Sequence, residues 1–579
     1  MAGLGVNGPQ DANTDWDAIR WPAHTDNVQR LRQRIFKATQ EGDLAKARNL
    51  QKLMLRSWSN SLVSVRQVTQ RNTGRSTAGI DGKVALTSPA RMTLAVQVHS
   101  QRATWQPLPA RRVYVPKAGN RTKLRPLGIP VIADRCHQGR VRNALEPEWE
   151  ARFEPRSYGF RPGRSCQDAI QAIYTTCHGP RTKRVWALDA DLAAAFDRID
   201  HDRLLAALGS FPARDLIRKW LKAGVFEAGK GFAPTEEGTP QGGVISPLLL
   251  NVALHGLEEA AGVRYVTVGN HAGETRADSP VVIRYADDLV ALCHSQEQAQ
   301  QIQAQLAQWL APRGLTFNQH KTRIGSLTEG FDFLGFNVRL YRRKLLIKPS
   351  KAAIKRIRSR LSTEMRILRG SNAPMVLAKI VPIVRGWTAY YRGVVSKRIF
   401  NSMDSHMWKL TYKWAKHGHP NKARYWISNK YFGRFNPDRA DRWVFGDRAS
   451  GAYLPKFAWT KIVRHVMVPG RASPDDPALA QYWTDRRRKA KPPLDTSTLR
   501  LLRQQDGRCP LCGEHLLHAD HEPASPREWE QWLTGIRKAI TRHNLSTAQG
   551  CPGTSDETRI RLVHSSCQRL STTGRDQGT

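Results

Sequence analysis

The sequence predicts an α/β region, then an all-helical region, and finally a small metal-bound module. Between about residues 71 and 345, short β-branched apolar runs alternate with amphipathic helical patterns, as in an α/β fold. From 346 to 435 the pattern becomes helical and rich in Lys, Arg and Trp. A pair of cysteines and a later His and Cys pair then indicate a compact metal site near the end of the chain.

The composition indicates a folded protein that binds a polyanion. Across 579 residues, 91 Lys and Arg stand against 49 Asp and Glu, which gives a formal charge of +42 and a pI near 10.5. The excess is spread along the chain, so folded nucleic acid is the expected partner. With 40% hydrophobic residues and 17 Trp, the chain does not belong to the disordered class.

The sequence also excludes a secreted or membrane-spanning protein. The N-terminal stretch MAGLGVNGPQDANTDWD lacks the apolar core of a signal peptide, and no apolar run approaches the roughly 18 residues of a membrane span. Four cysteines are scattered, which is typical of reduced thiols and not of a disulfide framework: Cys136, Cys166, Cys177 and Cys293. We therefore expect a cytoplasmic protein with no membrane partner.

Local patterns predict the elements of the α/β region in order. They are helices over 27–70, two strands joined by a basic loop over 111–131, helices over 134–152, a buried strand over RVWALDADL (184–192), a helix over DHDRLLAAL with Asp200 as its N-cap, and an amphipathic helix over 295–312.

Two adjacent carboxylates, Asp287 and Asp288, lie at the tip of a predicted hairpin. The stretch PVVIRYADDLVALC (280–293) holds two short apolar runs around a turn-like Ala-Asp-Asp. Taken locally, a solvated turn is the more common explanation. Asp191 ends a predicted strand, however, and neighbouring strands of one sheet would bring it beside the pair. Two Mg²⁺ ions would relieve the repulsion among three carboxylates and would also catalyse phosphoryl transfer.

YADD (285–288) resembles the catalytic hairpin of reverse transcriptases. Other stretches resemble the blocks of that family in the right order: KLRPLGIP (123–130), DADLAAAFDRIDH (189–201), GTPQGGVISPLLLN (238–251), FNQHKTRI (317–324) and FDFLGF (331–336). A finer resemblance is to bacterial group II intron-encoded proteins, the reverse transcriptase–maturases. It rests on GIDG (79–82), SYGFRPGRS (157–165) and GWTAYYRG (386–393).

The resemblance implies an α/β right-hand polymerase of fingers and palm, followed by an all-α thumb/maturase domain that binds intron RNA. The expected boundaries are 1–70 for an N-terminal helical extension, 71–345 for fingers and palm, 346–435 for the thumb/maturase helices, 436–500 for a DNA-binding region with a basic linker, and 501–579 for a zinc-bound HNH-like module of the ββα-metal type.

The resemblance also assigns roles around the three carboxylates, with Asp191, Asp287 and Asp288 holding the two Mg²⁺ ions. Phe196 would exclude a 2′-hydroxyl and so favour deoxynucleotides, although without the motif a core Phe is the simpler reading. One departure is visible, because Ala193, Ala194 and Ala195 stand where the family commonly has a Lys-Gly pair and an aromatic.

Five further residues would contact substrate. Lys117 and Arg125 could pair with triphosphate oxygens, or be solvated or contact template phosphates. Gln241 and Gly242 would face primer and nucleotide, where glycine permits close approach. Lys321 would donate a proton to leaving pyrophosphate, with a surface lysine as the equal alternative.

In the predicted thumb, aromatic residues at helical spacing could either stack on RNA or pack in the protein core. Trp387 is expected in the core, while Arg385 and Arg392 are the expected RNA contacts.

The C-terminal Cys and His pairs predict a structural zinc site. CPLCGEHL and HSSC supply Cys509, Cys512, His564 and Cys567, and Cys551 is a rival fourth ligand.

Together with HADHEP (518–523), this zinc frame resembles an HNH nuclease module. Asp520 would then be a ligand of a further divalent ion and His521 the general base. Arg559 replaces the expected Asn and Gln568 the expected His, and the insert over 525–551 is long. His543 or Asn544 could substitute, but no spacing supports that, so a zinc module that binds DNA is expected and nuclease activity stays open.

The resulting hypothesis is a bacterial intron protein, nucleoid-associated when bound to DNA. It would assist splicing of its intron RNA and copy that RNA from a primer at a DNA target, using deoxynucleoside triphosphates. A dimer stays open. The rivals are a retron- or defence-type reverse transcriptase and an RNA-binding splicing factor without polymerase activity.

Overall fold

The structure is a computed structural model of the chain. It describes residues 15–117, 120–179, 182–270, 272–342, 344–489, 496–505, 507–513, 516, 523, 525–545, 559–564 and 567. For some of these residues it describes the backbone but not the side chain: 117, 120–123, 487–489, 496–497, 536–545 and 559–560.

An N-terminal group of helices precedes a small sheet. The elements are α1 (Trp21–Gln40), α2 (Leu44–Arg56), α3 (Trp58–Arg66), α4 (Ser88–Ser100), β1 (Ala110–Lys117), β2 (Asn120–Ile129) and α5 (Ile132–Arg152). The helices expected over 27–70 and 134–152 and the strand pair over 111–131 are confirmed. α1, α2 and α5 share one apolar core that contains Leu31, Ile35, Leu50 and Leu145.

The palm follows. Its elements are α6 (Cys166–Cys177), β3 (Trp186–Asp191), α7 (Ala195–Arg198), α8 (His201–Leu208), α9 (Arg214–Lys222), β4 (Val225–Glu227), β5 (Gly231–Ala233), α10 (Ser246–Ala253), α11 (Leu257–Ala260), β6 (Val281–Tyr285), β7 (Asp288–Cys293), α12 (Gln296–Leu310) and β8 (Arg323–Ser326). Asp200 caps α8 as expected, since its carboxylate accepts from the Arg203 amide at 2.7 Å. The predicted strand, hairpin and amphipathic helix are likewise confirmed as β3, β6–β7 and α12.

Two sheets organise this region. β2, β1, β4 and β5 form one in that order, with β4 joined to β1 in parallel. β6, β7, β3 and β8 form the other, and all of its neighbours are antiparallel. The hairpin strands are buried on both faces, which explains their continuous apolar runs. Val282, Leu289 and Ala291 face one core, whereas Ile283 and Val290 face the other.

A three-stranded sheet leads into the thumb helices. The elements are β9 (Phe331–Phe333), β10 (Phe336–Tyr341), β11 (Lys344–Pro349), α13 (Lys351–Ile367), α14 (Ala373–Tyr391), α15 (Lys397–Gly418), α16 (Arg424–Tyr431), β12 (Phe432–Gly433) and β13 (Val444–Phe445). The helical texture predicted after residue 345 is confirmed. Trp387 is 3% exposed and belongs to the core, as expected.

The segment after the thumb returns to the N-terminal half of the chain, which the sequence did not indicate. Asp475 accepts two hydrogen bonds from Arg32 on α1, at 2.8 and 2.6 Å. His465 contacts Asp168 of α6 at 2.9 Å, and Arg164 donates to the carbonyl of Gly470 at 2.6 Å. Residues 461–483 therefore form a strap across the palm and α1, and the buried ion pair of Asp475 with Arg32 fixes it to α1.

The last elements are α17 (Ala480–Lys489), α18 (Thr496–Gln504), α19 (Pro526–Ala539), β14 (Ile540–Leu545) and β15 (Arg559–His564). The charge run expected as a linker starts within α17. α19, which lies in the long insert, packs against α14. Trp529 enters the thumb core, and Arg360 forms a 2.7 Å ion pair with Glu530.

Gly386 is a point of close approach between α14 and α19. A Cβ atom there would lie 2.7 Å from the amide nitrogen of Glu530, a backbone atom that cannot move by a rotamer change. We expect Gly386→Ala to weaken the α14–α19 contact by about 1–3 kcal/mol, because overpacking forces backbone shifts. Protease cleavage within α19 and urea unfolding of the full chain measure this.

Gly418, near the end of α15, provides the matched control. A Cβ atom there would meet nothing within 4 Å, so Gly418→Ala should leave cleavage of α19 unchanged. Equal protection of α19 in wild type and Gly386→Ala would contradict the docking.

Candidate active site

The register of the palm sheet brings the three acids predicted from the sequence to one place. β3 and β7 pair so that Asp191 lies directly opposite Asp288. The amide of Leu192 donates to the carbonyl of Asp287 at 3.2 Å, which extends the pairing to the turn. Carboxylates from two strands and one turn therefore converge at the end of the sheet.

The turn between β6 and β7 is held in place by contacts with residues that are distant in sequence. Ala286 has a left-handed backbone with φ of 58°. The buried Arg284 guanidinium donates to the side chains of Asn251 at 2.9 Å and Ser157 at 2.5 Å, and to the carbonyl of Ala286 at 3.2 Å. A Cβ atom at Gly159 would lie 2.2 Å from the Ala286 amide nitrogen, so only glycine fits there.

These positioning residues were missed at the sequence level. SYGFRPGRS was noted for its resemblance to the family, but its role under the turn is visible only when the chain is folded. A signal was present in the arginine inside an otherwise apolar strand, because a buried charge needs partners.

Burial and neighbouring negative charge raise the pKa values of Asp287 and Asp288. Burial raises the pKa of Asp288 to about 8, and the charges of Asp287 and Asp191 add to that rise. Burial and the charge of Asp191 also raise the pKa of Asp287, while Arg125 and Lys321 oppose the shift. Three converging carboxylates need protons or cations to balance their charge, and their hard oxygen donors suit Mg²⁺.

Lys321 lies against Asp191 in this structure. Its Nζ donates to Asp191 Oδ2 at 2.7 Å, and the lysine side chain is 63% exposed. Burial opposes a rise in the pKa of Lys321, but the hydrogen bond and the charge of Asp191 outweigh it, and the ammonium keeps its proton. Asn318 also contacts Asp191, its amide donating to the backbone carbonyl at 2.8 Å. The lysine is thus a charged donor at the edge of the carboxylate cluster.

The strand pair of the fingers supplies one exposed cation near this cluster. Arg125 on β2 is exposed, and its charge lowers the pKa of Asp287. Lys117 ends β1, and its side chain lies outside the described part of the structure.

The loop before α10 meets the end of β2. The Gly128 amide donates to the carbonyl of Gln241 at 2.9 Å. Gly242 has φ of 127°, and a Cβ atom there would lie 2.7 Å from the Gly128 carbonyl oxygen. The close approach that Gly242 permits within the protein is therefore to the fingers backbone.

Phe196 is half-buried in α7, the short helix that follows β3. Its carbonyl accepts from the Thr239 amide at 2.6 Å, and its ring meets that of Phe160 edge-on, with centroids 6.2 Å apart. Phe160 is 41% exposed and has a left-handed backbone with φ of 61°. Since Phe160 follows Gly159, this aromatic pair borders the turn that carries the acids. Phe160 was not among the residues singled out in the sequence.

A second cluster lies in the C-terminal module. The ligand atoms of Cys509, Cys512, His564 and Cys567 all lie within 4.8 Å of one another. Cys512 Sγ is 3.4 Å from His564 Nδ1, and Cys567 Sγ is 3.9 Å from it. Tetrahedral zinc with Zn–S bonds of about 2.3 Å requires ligands roughly 3.8 Å apart, so this set fits the ion.

Other predicted residues of the module lie outside the described part of the chain. These are Asp520, His521, Cys551 and Gln568. His543, Asn544 and Arg559 belong to the β14–β15 hairpin, at positions where the structure describes the backbone and not the side chain. The HNH nuclease assignment therefore stays a prediction.

Of the two arginines expected to contact RNA in the thumb, Arg385 lies in the C-terminal half of α14 and Arg392 directly follows that helix. The Arg392 carbonyl accepts from the Val463 amide of the strap at 2.9 Å. Across the residues that the structure describes, no helix combines the length and apolar character needed to cross a bilayer.

Three family models match the chain. They are the N-terminal domain of reverse transcriptase over 16–98, reverse transcriptase (RNA-dependent DNA polymerase) over 115–338, and the group II intron maturase-specific domain over 354–432.

Individual proteins agree with these matches. Protein YkfC of Escherichia coli (strain K12) is 34% identical over 310 residues, covering 47% of this chain and 79% of YkfC. Group II intron-encoded protein LtrA of Lactococcus lactis subsp. cremoris is 39% identical over 193 residues, covering 32% of this chain and 31% of LtrA. A solved telomerase from Candida albicans in complex with a telomeric RNA fragment aligns over 56% of this chain and 58% of that chain. Its 13% identity and TM-score of 0.28 are too low to compare the folds.

Replacing Arg284 by Lys should disorder the carboxylate turn. A lysine keeps the charge but cannot bridge Asn251, Ser157 and the Ala286 carbonyl with one planar group. We expect a loss of about 2–4 kcal/mol in the free energy of unfolding, because buried polar partners are left unpaired. Urea unfolding of the full chain provides the measurement.

The control for this substitution is Arg203→Lys on the exposed face of α8. It should change the free energy of unfolding by less than about 0.5 kcal/mol. Similar stability of Arg284→Lys and Arg203→Lys would show that the network does not hold the turn.

Proposed function

The chain belongs to the group II intron reverse transcriptase–maturases, and we propose that Asp191, Asp287 and Asp288 are the metal-binding carboxylates of its RNA-directed DNA polymerase. The observation that carries this proposal is the β3–β7 register, which sets Asp191 opposite Asp288 at the end of a buried sheet. A solvated turn would not gather acids from separate strands or hold them over a buried arginine.

The three carboxylates would hold two Mg²⁺ ions. The chemistry that Mg²⁺ supplies there, when bound, is activation of the primer hydroxyl and stabilisation of the leaving phosphate. The protein contributes fixed oxygen ligands, because Arg284 and Gly159 restrict the turn that carries Asp287. The positive surroundings offset the cost of gathering these acids, since Arg125 and Lys321 both lower the pKa of Asp287.

The flanking residues would select and orient the nucleotide. Phe196, supported by Phe160, would occupy the space of a ribose 2′-hydroxyl and so favour deoxynucleoside triphosphates. Arg125 and Lys117 would pair with triphosphate oxygens. Gln241 and Gly242 would border the primer end, held by the contact with Gly128. Lys321 would give its proton to the leaving pyrophosphate.

The thumb helices would hold the intron RNA and assist its splicing. α13 to α16 coincide with the maturase-specific match over 354–432 and carry many exposed Lys and Arg residues. Neither of the rivals accounts for both features, because a retron- or defence-type enzyme needs no maturase region and a splicing factor without polymerase activity needs no carboxylate cluster. Copying would start from a primer at a DNA target, bound with help from the C-terminal part of the chain.

The Cys509, Cys512, His564 and Cys567 cluster would bind one structural Zn²⁺ ion. The set offers three soft thiolates and one imidazole, which is a common donor set for structural zinc. A small module with few buried residues gains its stability from such an ion.

Asp287→Asn should reduce primer extension on an RNA template by about 10³-fold, because loss of an anionic metal ligand removes several kcal/mol of transition-state stabilisation. The same variant should accelerate splicing of the intron RNA as wild type does, since the carboxylate is not an RNA contact. Single-nucleotide incorporation and a splicing time course measure the two activities.

Asp202→Asn, an exposed acid on α8, is the control and should extend primers like wild type. Extension by Asp287→Asn at the wild-type rate would refute the carboxylate assignment.

Purified full-length protein should contain one zinc ion per chain, and Cys509→Ser should lose it because a hydroxyl is a poor ligand for zinc. Cys551→Ser, which alters the rival ligand, should keep the ion. Elemental analysis by mass spectrometry decides the matter, and loss of zinc from Cys551→Ser alone would overturn the ligand set.

A further inference from the structure

A cavity of about 410 Å³ lies in the thumb and shares no residue with the carboxylate site. One wall is a single face of α15, with residues three and four positions apart: Asp404, Met407, Trp408 and Thr411. The opposite wall consists of Phe432, Trp443, Val444, Phe445 and Leu454–Phe457. A cavity of this size falls within the range of small-ligand sites.

Aromatic side chains form both the floor and the mouth of this cavity. Phe432, Phe445 and Phe457 are buried and form the floor. Trp408 and Trp443 are 40% and 55% exposed, with ring centroids 6.3 Å apart at an interplanar angle of 82°. Exposed tryptophans at the mouth of an apolar cavity are costly unless a ligand covers them, and they mark binding sites.

The surroundings of the cavity favour a polyanion as that ligand. α15 carries Lys397, Arg398, Lys409, Lys413 and Lys416. Its one acid, Asp404, is engaged by the backbone amides of Phe457 and Ala458 at 2.6 and 3.0 Å. Lys409 lines the cavity and is exposed. An apolar, aromatic interior with a cationic rim matches a nucleobase joined to phosphates.

We propose that this cavity accepts a single unstacked nucleobase of RNA. The base would stack on the ring of Trp443, with the ring of Trp408 meeting the base edge-on, while Lys409 and Lys413 would meet the neighbouring phosphates. The choice of RNA rests on the proposed maturase function, because α15 lies within the region that matches the maturase-specific domain. A base inside a duplex cannot enter, since it is already paired and stacked.

The experiment compares binding of a labelled single-stranded oligoribonucleotide with binding of the same strand in a duplex. Fluorescence anisotropy is measured on the full chain without nucleotides. Trp443→Ala should weaken single-strand binding about tenfold or more, which is typical of losing one stacked base, and duplex binding less than about twofold. Trp443→Phe keeps an aromatic face and should restore most of the affinity.

Phe232→Ala is the matched control, because Phe232 is an aromatic residue of β5 that is 58% exposed, lies outside the thumb helices and does not line the cavity. It should change neither affinity. A 4-thiouridine placed in the single strand should crosslink to the peptides that contain Trp408 or Trp443.

Two results would overturn the proposal. If Trp443→Ala weakens single-strand and duplex binding equally, Trp443 contributes to general phosphate contacts. If Trp443→Ala leaves single-strand binding unchanged, the cavity has another occupant, such as an aromatic side chain of a protein. Failure of this proposal can be distinguished from failure of the proposed polymerase function. A wild-type chain that binds RNA but makes no DNA would refute the polymerase function and leave the cavity proposal standing.

Discussion

The antiparallel pairing of β3 with β7 is the constraint on which the rest of the site depends. Both strands are buried on two faces, so their alternate side chains belong to two different cores. A slip of one residue would exchange the two faces and bury each side chain in the wrong core. The same register sets Asp191 opposite Asp288. Hydrophobic packing, which has no direction of its own, thereby positions the acids of the site.

Electrostatics oppose this arrangement, and the surrounding structure offsets the cost. Burial lowers the pKa of Arg284 to about 10, yet nearby acids, including Asp287, favour its charged form. A buried cation on the inner side of the turn and Lys321 on the outer side therefore both attract the carboxylates. The protein therefore holds three acids together with positive charge that is distributed around them.

Local sequence patterns were sufficient to predict those features of the fold that depend on local interactions. The hairpin, the strand of Asp191, the Asp200 cap and the buried position of Trp387 all follow from short windows of sequence. The support of the turn was not predictable, because Gly159 and Asn251 reach Ala286 and Arg284 from remote segments. The strap over 461–483 was not predictable from the sequence for the same reason. Its contacts join Asp475 to Arg32 across most of the chain, and no periodicity encodes such a pair.

The strap and α19 have a consequence for how the polymerase and RNA-binding parts work together. The thumb follows the palm in the chain, and residues 461–483 join the two a second time, because this strap contacts Arg392 after α14 as well as α1 and α6. α19 fixes the C-terminal part of the chain to α14. Buried ion pairs such as Arg32–Asp475 are sensitive to displacement, because separating the partners leaves an unpaired charge in the interior. A thumb with several attachments resists swinging away from the palm. If the thumb holds the intron RNA as proposed, the strap would keep that RNA close to the carboxylates while it is copied.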